Sequence, residues 1–271
     1  MKRSGPLLLL LSVLLVAGMP LSVPAQTSPA YTLQVHPIFT PRQAELVYQP
    51  LVDFLNSTTD YRFELKTTRD FHSYWLDIRR GRRPDLVLED AHLIALRMQQ
   101  HGFVPLVRAD EPATFSLLTM DPGAQAPEDF VGRRVSSMPA PSLGYLVLAS
   151  WFTNPMQQPV LESSAASWLD AVEIVFDGEA EAAIVPHNLV RRYVNLDSVV
   201  TSAEFPHLTI AASPDLAESV RAAVTRALLE LDQQPEHFAV LHELDIEAFV
   251  PANPDEYLGL ESWLDFVFTG F

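Results

Sequence analysis

Cysteine is absent from the 271-residue chain. Disulfides, thiolate metal sites, thiol catalysis and a lipid anchor on an N-terminal cysteine are excluded together, so stability must come from core packing. Lysine is nearly absent too: Lys2 and Lys66 are the whole supply, and every other fixed cation is arginine. Motifs with a mechanism are missing, with no G-x-S-x-G, no H-E-x-x-H and no P-loop. The 8 histidines are scattered, and His237 and His242 are spaced off a common helix face, unlike paired metal ligands. No metal and no cofactor is expected. An enzyme reading, a periplasmic hydrolase, has only chance pairs among 34 acidic residues to rest on.

Long apolar runs are also lacking beyond the first residues. Lys2 and Arg3 precede LLLLLSVLLVAGM, and Val23 and Ala25 then form a V-x-A cleavage pattern. The apolar part is short for a membrane span, so residues 1–25 read as a cleavable secretory leader, with an uncleaved anchor as the competing reading. The expected location is the periplasm. Losing Lys2 and Arg3 with the leader takes the formal charge from −16 to −18. Nucleic acid and anionic membrane surfaces are therefore poor partners.

What is there is a globular composition, 48% hydrophobic and 19% charged. YTLQVHPIF (31–39) reads as a strand, followed by a capping box with Thr40 at N-cap, Pro41 at N1 and Gln43 at N3. The helix that follows is expected to bend at Pro50. Strands over 61–67, 85–89 and 103–109 alternate with helices over 70–81 and 91–102, each helix closed by a glycine. A second series has strands over 113–120, near 133–138, 159–163 and 181–186, with helices from Leu143 and over 167–178. HLTIAAS (207–213) reads as a crossing strand, and helices over 215–233, 236–244 and 254–268 close the chain. This order predicts an α/β fold with largely parallel sheets.

Several segments in order resemble the periplasmic solute-binding proteins of the phosphate, phosphite and phosphonate type: VYQPLVDFLN (47–56), GRRPDLVLEDAHLIAL (81–96), EDFVGRRVSS (128–137) and DAVEIVFDGEAEAAIVP (170–186). The resemblance implies a two-lobed periplasmic-binding-protein fold with two hinge-crossing segments, near 110–116 and 203–210. The first lobe would take 26–112 and return over 206–271, and the second lobe would take 113–205. It implies a monomer that captures a small polar solute, oxyanion or phosphonate-like, for an ABC permease. A sensor subunit docking on a receptor kinase is the alternative.

Independently of any family, ligands of open parallel sheets sit beyond the carboxyl ends of strands, where helix N-termini converge. The resemblance maps its contact loops onto such positions, His36 to Thr40 after the first strand and Glu89, Asp90 and His92 at the end of DLVLE. Thr40 presents a hydroxyl after the first strand or serves only as a cap. Glu89 and Asp90 repel a dianion but suit an amine, unless one of them caps the next helix. The resemblance places an oxyanion-holding loop at PAPSLG (139–144), which keeps Ser142 and Gly144 while Pro141 lacks an N–H. Ser142 reads equally as a plain N-cap. Tyr145 is a cleft wall or core. Ser163 and Ser164 stand where the family often carries Ser-His, and His187 follows the last strand of the second series as a contact or a cap.

Overall fold

The structure, a computed structural model, describes residues 30–265, so the expected leader lies outside the described residues. The first series is β1 (Tyr31–Val35), α1 (Pro41–Thr58), β2 (Phe63–Lys66), α2 (Phe71–Arg79), β3 (Leu86–Glu89), α3 (Ala91–His101) and β4 (Val104–Ala109). The second is β5 (Phe115–Thr119), β6 (Arg134–Ser136), α4 (Leu143–Ser150), β7 (Val160–Glu162), α5 (Trp168–Phe176), β8 (Ala182–Pro186), α6 (His187–Val190) and β9 (Asp197–Thr201). The chain then forms β10 (Thr209–Ala212), α7 (Glu218–Leu229), α8 (Phe238–Leu244) and β11 (Phe249–Pro251).

Local chemistry sets the helix boundaries. The Gln43 side chain accepts from the Thr40 N–H at 3.3 Å, which begins α1, and that helix runs as one element with Pro50 inside it. Asp70 accepts from the Ser73 N–H at 2.7 Å to begin α2. Gly81 and Gly102 take φ of +70° and +69°, conformations that stop α2 and α3 at little steric cost.

The strands form two sheets, ordered β11-β4-β10-β3-β1-β2 and β7-β6-β8-β5-β9. The expectation of largely parallel sheets holds for β2-β1-β3 and for β7-β6-β8 only. Strands β10 and β11 in the first sheet, and β5 and β9 in the second, run antiparallel to their neighbours. The reason is connectivity: β5 and β10 each enter a new sheet directly from a crossing segment, without a helical crossover. The two crossings lie side by side, bridged at Ala113 and Phe205. Two strands escape sequence reading, β9 and β11, and the helix expected over 254–268 is two 3₁₀ turns, Pro254–Tyr257 and Leu260–Leu264, within its described part.

Strand alternation divides the packing. Leu86 and Leu88 face α1, α7 and α8, whereas Val87 faces the other way and joins the core of the second sheet. A smaller apolar cluster links α2 and α3 to α4 through Tyr74, Trp75, Leu93, Leu96, Leu146 and Leu264. The two layers thus touch through an apolar seam as well as through the crossings.

Candidate functional site

Register brings the first residues of the site together. Val35 pairs with Leu88 across the parallel strands β1 and β3, so His36, one residue past that pair, and Asp90, two residues past it, both emerge beyond the strand tips. β10 enters the same edge from the opposite direction, with Thr209 opposite Glu89, and this brings in His207 and Leu208. In the other sheet Phe115 pairs with Pro186, so Phe115 and the start of α6 occupy the facing edge. Between these edges lies a cleft of about 430 Å³. His36, Phe39, Gln43, Tyr48, Asp90 and His207 line one wall, and Phe115, Trp168, Asn188 and Arg192 the other.

His36 is 1% exposed, yet neither ring nitrogen has a hydrogen-bond partner among the described residues. Its Nδ1 lies 3.5 Å from Asp90 Oδ2. Asp90 sits at the N-cap of α3 without a side-chain capping bond: its backbone carbonyl accepts from the Leu93 and Ile94 N–H groups, and its side chain faces the cleft. Burial opposes ionisation of Asp90, but His36, His92 and His207 together outweigh it and hold the carboxyl below its usual range. Burial pushes His207 down to about 4 against the pull of Asp90, so its imidazole is neutral at pH 7. His207 Nδ1 also lacks a partner among the described residues, and its ring meets that of His187 edge-on at 5.8 Å. Burial and Asp90 both push the Tyr48 hydroxyl upward, so it stays a neutral donor.

Of the nine residues singled out from sequence, Asp90 lines this cleft, and the others are placed elsewhere. Glu89 is fully buried beneath α2 and α3, with Arg97 Nε 2.8 Å from each carboxylate oxygen and the Tyr74 hydroxyl also bonded to it. It shares the face of Val87, turned from the strand tip, and its charge is spent on Arg97. Thr40 is a half-buried cap whose hydroxyl donates to Gln43 Oε1 at 2.8 Å. Ser142 is buried, accepting from the Tyr145 N–H at 3.3 Å and donating to Met138 O at 3.3 Å. Gly144 is covered: a Cβ there would lie 2.5 Å from Trp168 Cη2 and 3.0 Å from Phe115 Cδ1. Tyr145 packs against the seam between α2, α3 and α4. Ser163 is half-buried and Ser164 exposed in the loop after β7. His187 stands beside the crossings, 3.7 Å from Glu111 and next to His207.

The PAPSLG loop therefore does not open onto the cleft. The carbonyl of Pro141, after a cis Ala140–Pro141 bond, lies 2.8 Å from His92 Nε2, and the ring of Trp168 fills the space over Gly144. Sequence reasoning missed His36, His207, Phe115 and Trp168. His36 fell inside the strand expected over 31–39, and its place at the tip shows only because β1 ends at Val35. Trp168 had a legible signal, being the residue after the Ser167 cap of α5.

Two α/β layers joined by paired crossings, with a lined cleft at facing strand tips, define a two-lobed solute-binding protein. The chain belongs to the family of periplasmic phosphonate substrate-binding proteins of ABC transporters, whose model matches residues 33–257. That family supplies the substrate-binding component of ABC transporters. The fold is similar to that of PhnD1 from Prochlorococcus marinus, solved with methylphosphonate, at 14% identity and a TM-score of 0.73 over 89% of this chain and 99% of that one. A phosphonate-transporter binding component from Pseudomonas aeruginosa is similar at 13% identity and a TM-score of 0.71, over 88% and 86% of the two chains. A Xanthomonas citri protein solved with ATP is similar at 16% identity and a TM-score of 0.69, over 89% and 98%. No curated protein matches the chain.

Proposed function

We propose that the chain holds one small polar solute in the cleft between His36, Asp90 and Trp168, and delivers it to the permease of an ABC importer. The carrying observation is His36, buried at a strand tip with no hydrogen-bond partner among the described residues. Its Nδ1 faces Asp90 at 3.5 Å, but a buried Nε2 without a partner costs about 1–3 kcal/mol, a cost that a ligand at the site removes. Family membership supports the transport role, and the methylphosphonate in the Prochlorococcus relative supports a small solute. In this reading residues 1–25 direct export to the periplasm and are removed, and the mature chain works as a monomer. The first lobe spans 26–112 and 206–271, the second 113–205, in line with the membership of the two sheets.

The reading also assigns a role to contacts between the lobes. Asp245, which follows α8, accepts from Asn188 Nδ2 at 2.8 Å and from Arg192 at 3.3 Å at the cleft rim. These bonds hold α6 against α8 when the lobes are together, as hinge closure over a solute requires. Calorimetry with X-ray scattering over a metabolite panel tests the proposal. A 1:1 ligand that stabilises the fold, by about 2.7 kcal/mol at a hundred times its dissociation constant, is expected. A chain that takes up nothing from the panel sinks it.

A further inference from the structure

We propose that the two 3₁₀ turns of residues 254–264 form a brace at the hinge, which sets how readily the lobes part and how fast a solute leaves. The inference rests on the solute-binding reading above and adds positioning residues that lie outside the cleft.

The first turn grips the roots of both crossings. β4 ends at Ala109 and β10 begins at Thr209, where the crossings meet the first sheet. Arg108 donates through Nε to Glu256 Oε2 at 2.9 Å, and through Nη1 to the carbonyls of Ala109 and Asp110 at 2.8 and 3.2 Å. The Tyr257 hydroxyl lies 2.7 Å from Thr209 Oγ1. Leu208, the residue before Thr209, takes φ of +26°, a conformation uncommon for a bulky side chain. Such a backbone persists where its surroundings over-determine it, and the Tyr257–Thr209 bond is one of the contacts that do so. With both roots held, rotation of the lobes falls on 110–113 and 203–208.

The second turn meets the hinge and the second layer. Trp263 packs edge-on against Phe205 at 5.2 Å, and Phe205 is bridged to Ala113 where the crossings touch. Leu264 is fully buried with Leu93 and Leu96 of α3 and Leu146 of α4. Gln99 on α3 donates to Glu261 at 3.2 Å. The two turns thus run as one fastening from the first layer, past the hinge, to the second. Among the described residues, none from 254 to 264 lines the cleft.

The hold is incomplete. A groove of about 480 Å³ separates Ser262 and Trp263 from Ala149, Ser150 and Phe152 at the end of α4, and Trp263 is only half-buried. Apolar area added across this groove favours joined lobes, and apolar area removed from the brace favours parted ones.

The test uses paired spin labels on the mature chain, whose lack of cysteine makes labelling clean. Leu46→Cys and Val194→Cys place the labels at exposed positions in the first and second layers. Their separation is measured without ligand, and stopped flow follows release of methylphosphonate. Trp263→Ala is expected to widen the separation and speed release by about 2- to 30-fold, the range for residues that modulate a site they do not touch. The association rate should stay close to the parent's. Ser150→Leu, at an exposed position that fills the groove, is expected to slow release, a change that loss of stability cannot produce. Parental separation and parental release in Trp263→Ala overturn the brace, and so does faster release in Ser150→Leu. A parent that fails to bind methylphosphonate counts against the solute-binding reading, and the ligand-free separations then decide the brace by themselves.

Discussion

His92 on α3 reaches out of the first layer to the backbone of the second, its Nε2 2.8 Å from the carbonyl of Pro141. Burial, opposed by Asp90, pushes the imidazole below its ordinary value, so a neutral ring with its proton on Nε2 makes this bond at pH 7. His92→Ala leaves the Pro141 carbonyl buried without its donor. A loss of about 1–3 kcal/mol is expected in urea denaturation. A variant as stable as the parent would show that the bond contributes nothing.

Glu89, Arg97 and Tyr74 form a buried unit whose role is structural. Arg97→Met strands a carboxylate in the core, and a loss of about 3–5 kcal/mol is expected. Replacing both members, Glu89→Leu with Arg97→Met, should recover most of that loss, since apolar replacement of a buried pair is often neutral. Solute affinity of the folded double variant should match the parent. A large drop in affinity would return Glu89 to the binding site.

Gly144→Ala drives a methyl group into Trp168, 2.5 Å from the nearest ring atom. Trp168 has to swing toward the cleft, and a loss of about 1–3 kcal/mol is expected from overpacking. Because the displaced ring also narrows the cleft, affinity should fall with stability, a pairing that calorimetry and thermal melting together can check.

Two histidines that stay neutral in the fold make stability fall with acidity. The folded value of His207 is about 4 against an ordinary 6.5, and His92 is shifted in the same direction. Below about pH 6.5 the unfolded chain takes up protons that the folded chain refuses, so stability declines as pH falls toward about 4, by at most about 1.4 kcal/mol per pH unit for each group. His207→Asn should flatten the slope of urea-denaturation stability between those limits. An unchanged slope would refute the assignment.

Asp245 is half-exposed and so is Arg192, which limits what their contact is worth. Asp245→Ala is expected to speed solute release up to several-fold, with at most about 1 kcal/mol lost in stability. Stopped-flow dissociation reads the first and thermal melting the second.

Most of the fold was legible because its signals are local. Thr40 with Gln43, Asp70 with Ser73, and the glycines at 81 and 102 mark helix boundaries by chemistry that needs no tertiary partner. β9 and β11 were not legible: DSVVT alternates weakly, and Phe249–Pro251 is a three-residue edge strand carrying a proline. The site was harder. Asp90 was readable from the rule of strand tips, but Glu89, one residue earlier, was misplaced because the face it points to depends on the register of a strand only four residues long. His207 and Phe115 reach the cleft because β10 and β5 run antiparallel to their neighbours, a property of the paired crossings that no stretch of sequence displays.

The seam of Leu93, Leu96 and Leu146 makes the resting posture of the molecule a matter of temperature. Attraction between hydrocarbon side chains fades toward freezing, whereas the polar fastening at the rim keeps its strength. Chilled protein should therefore gape more readily than warm protein, and uptake should carry a steeper thermal dependence than the solute's own contacts would produce.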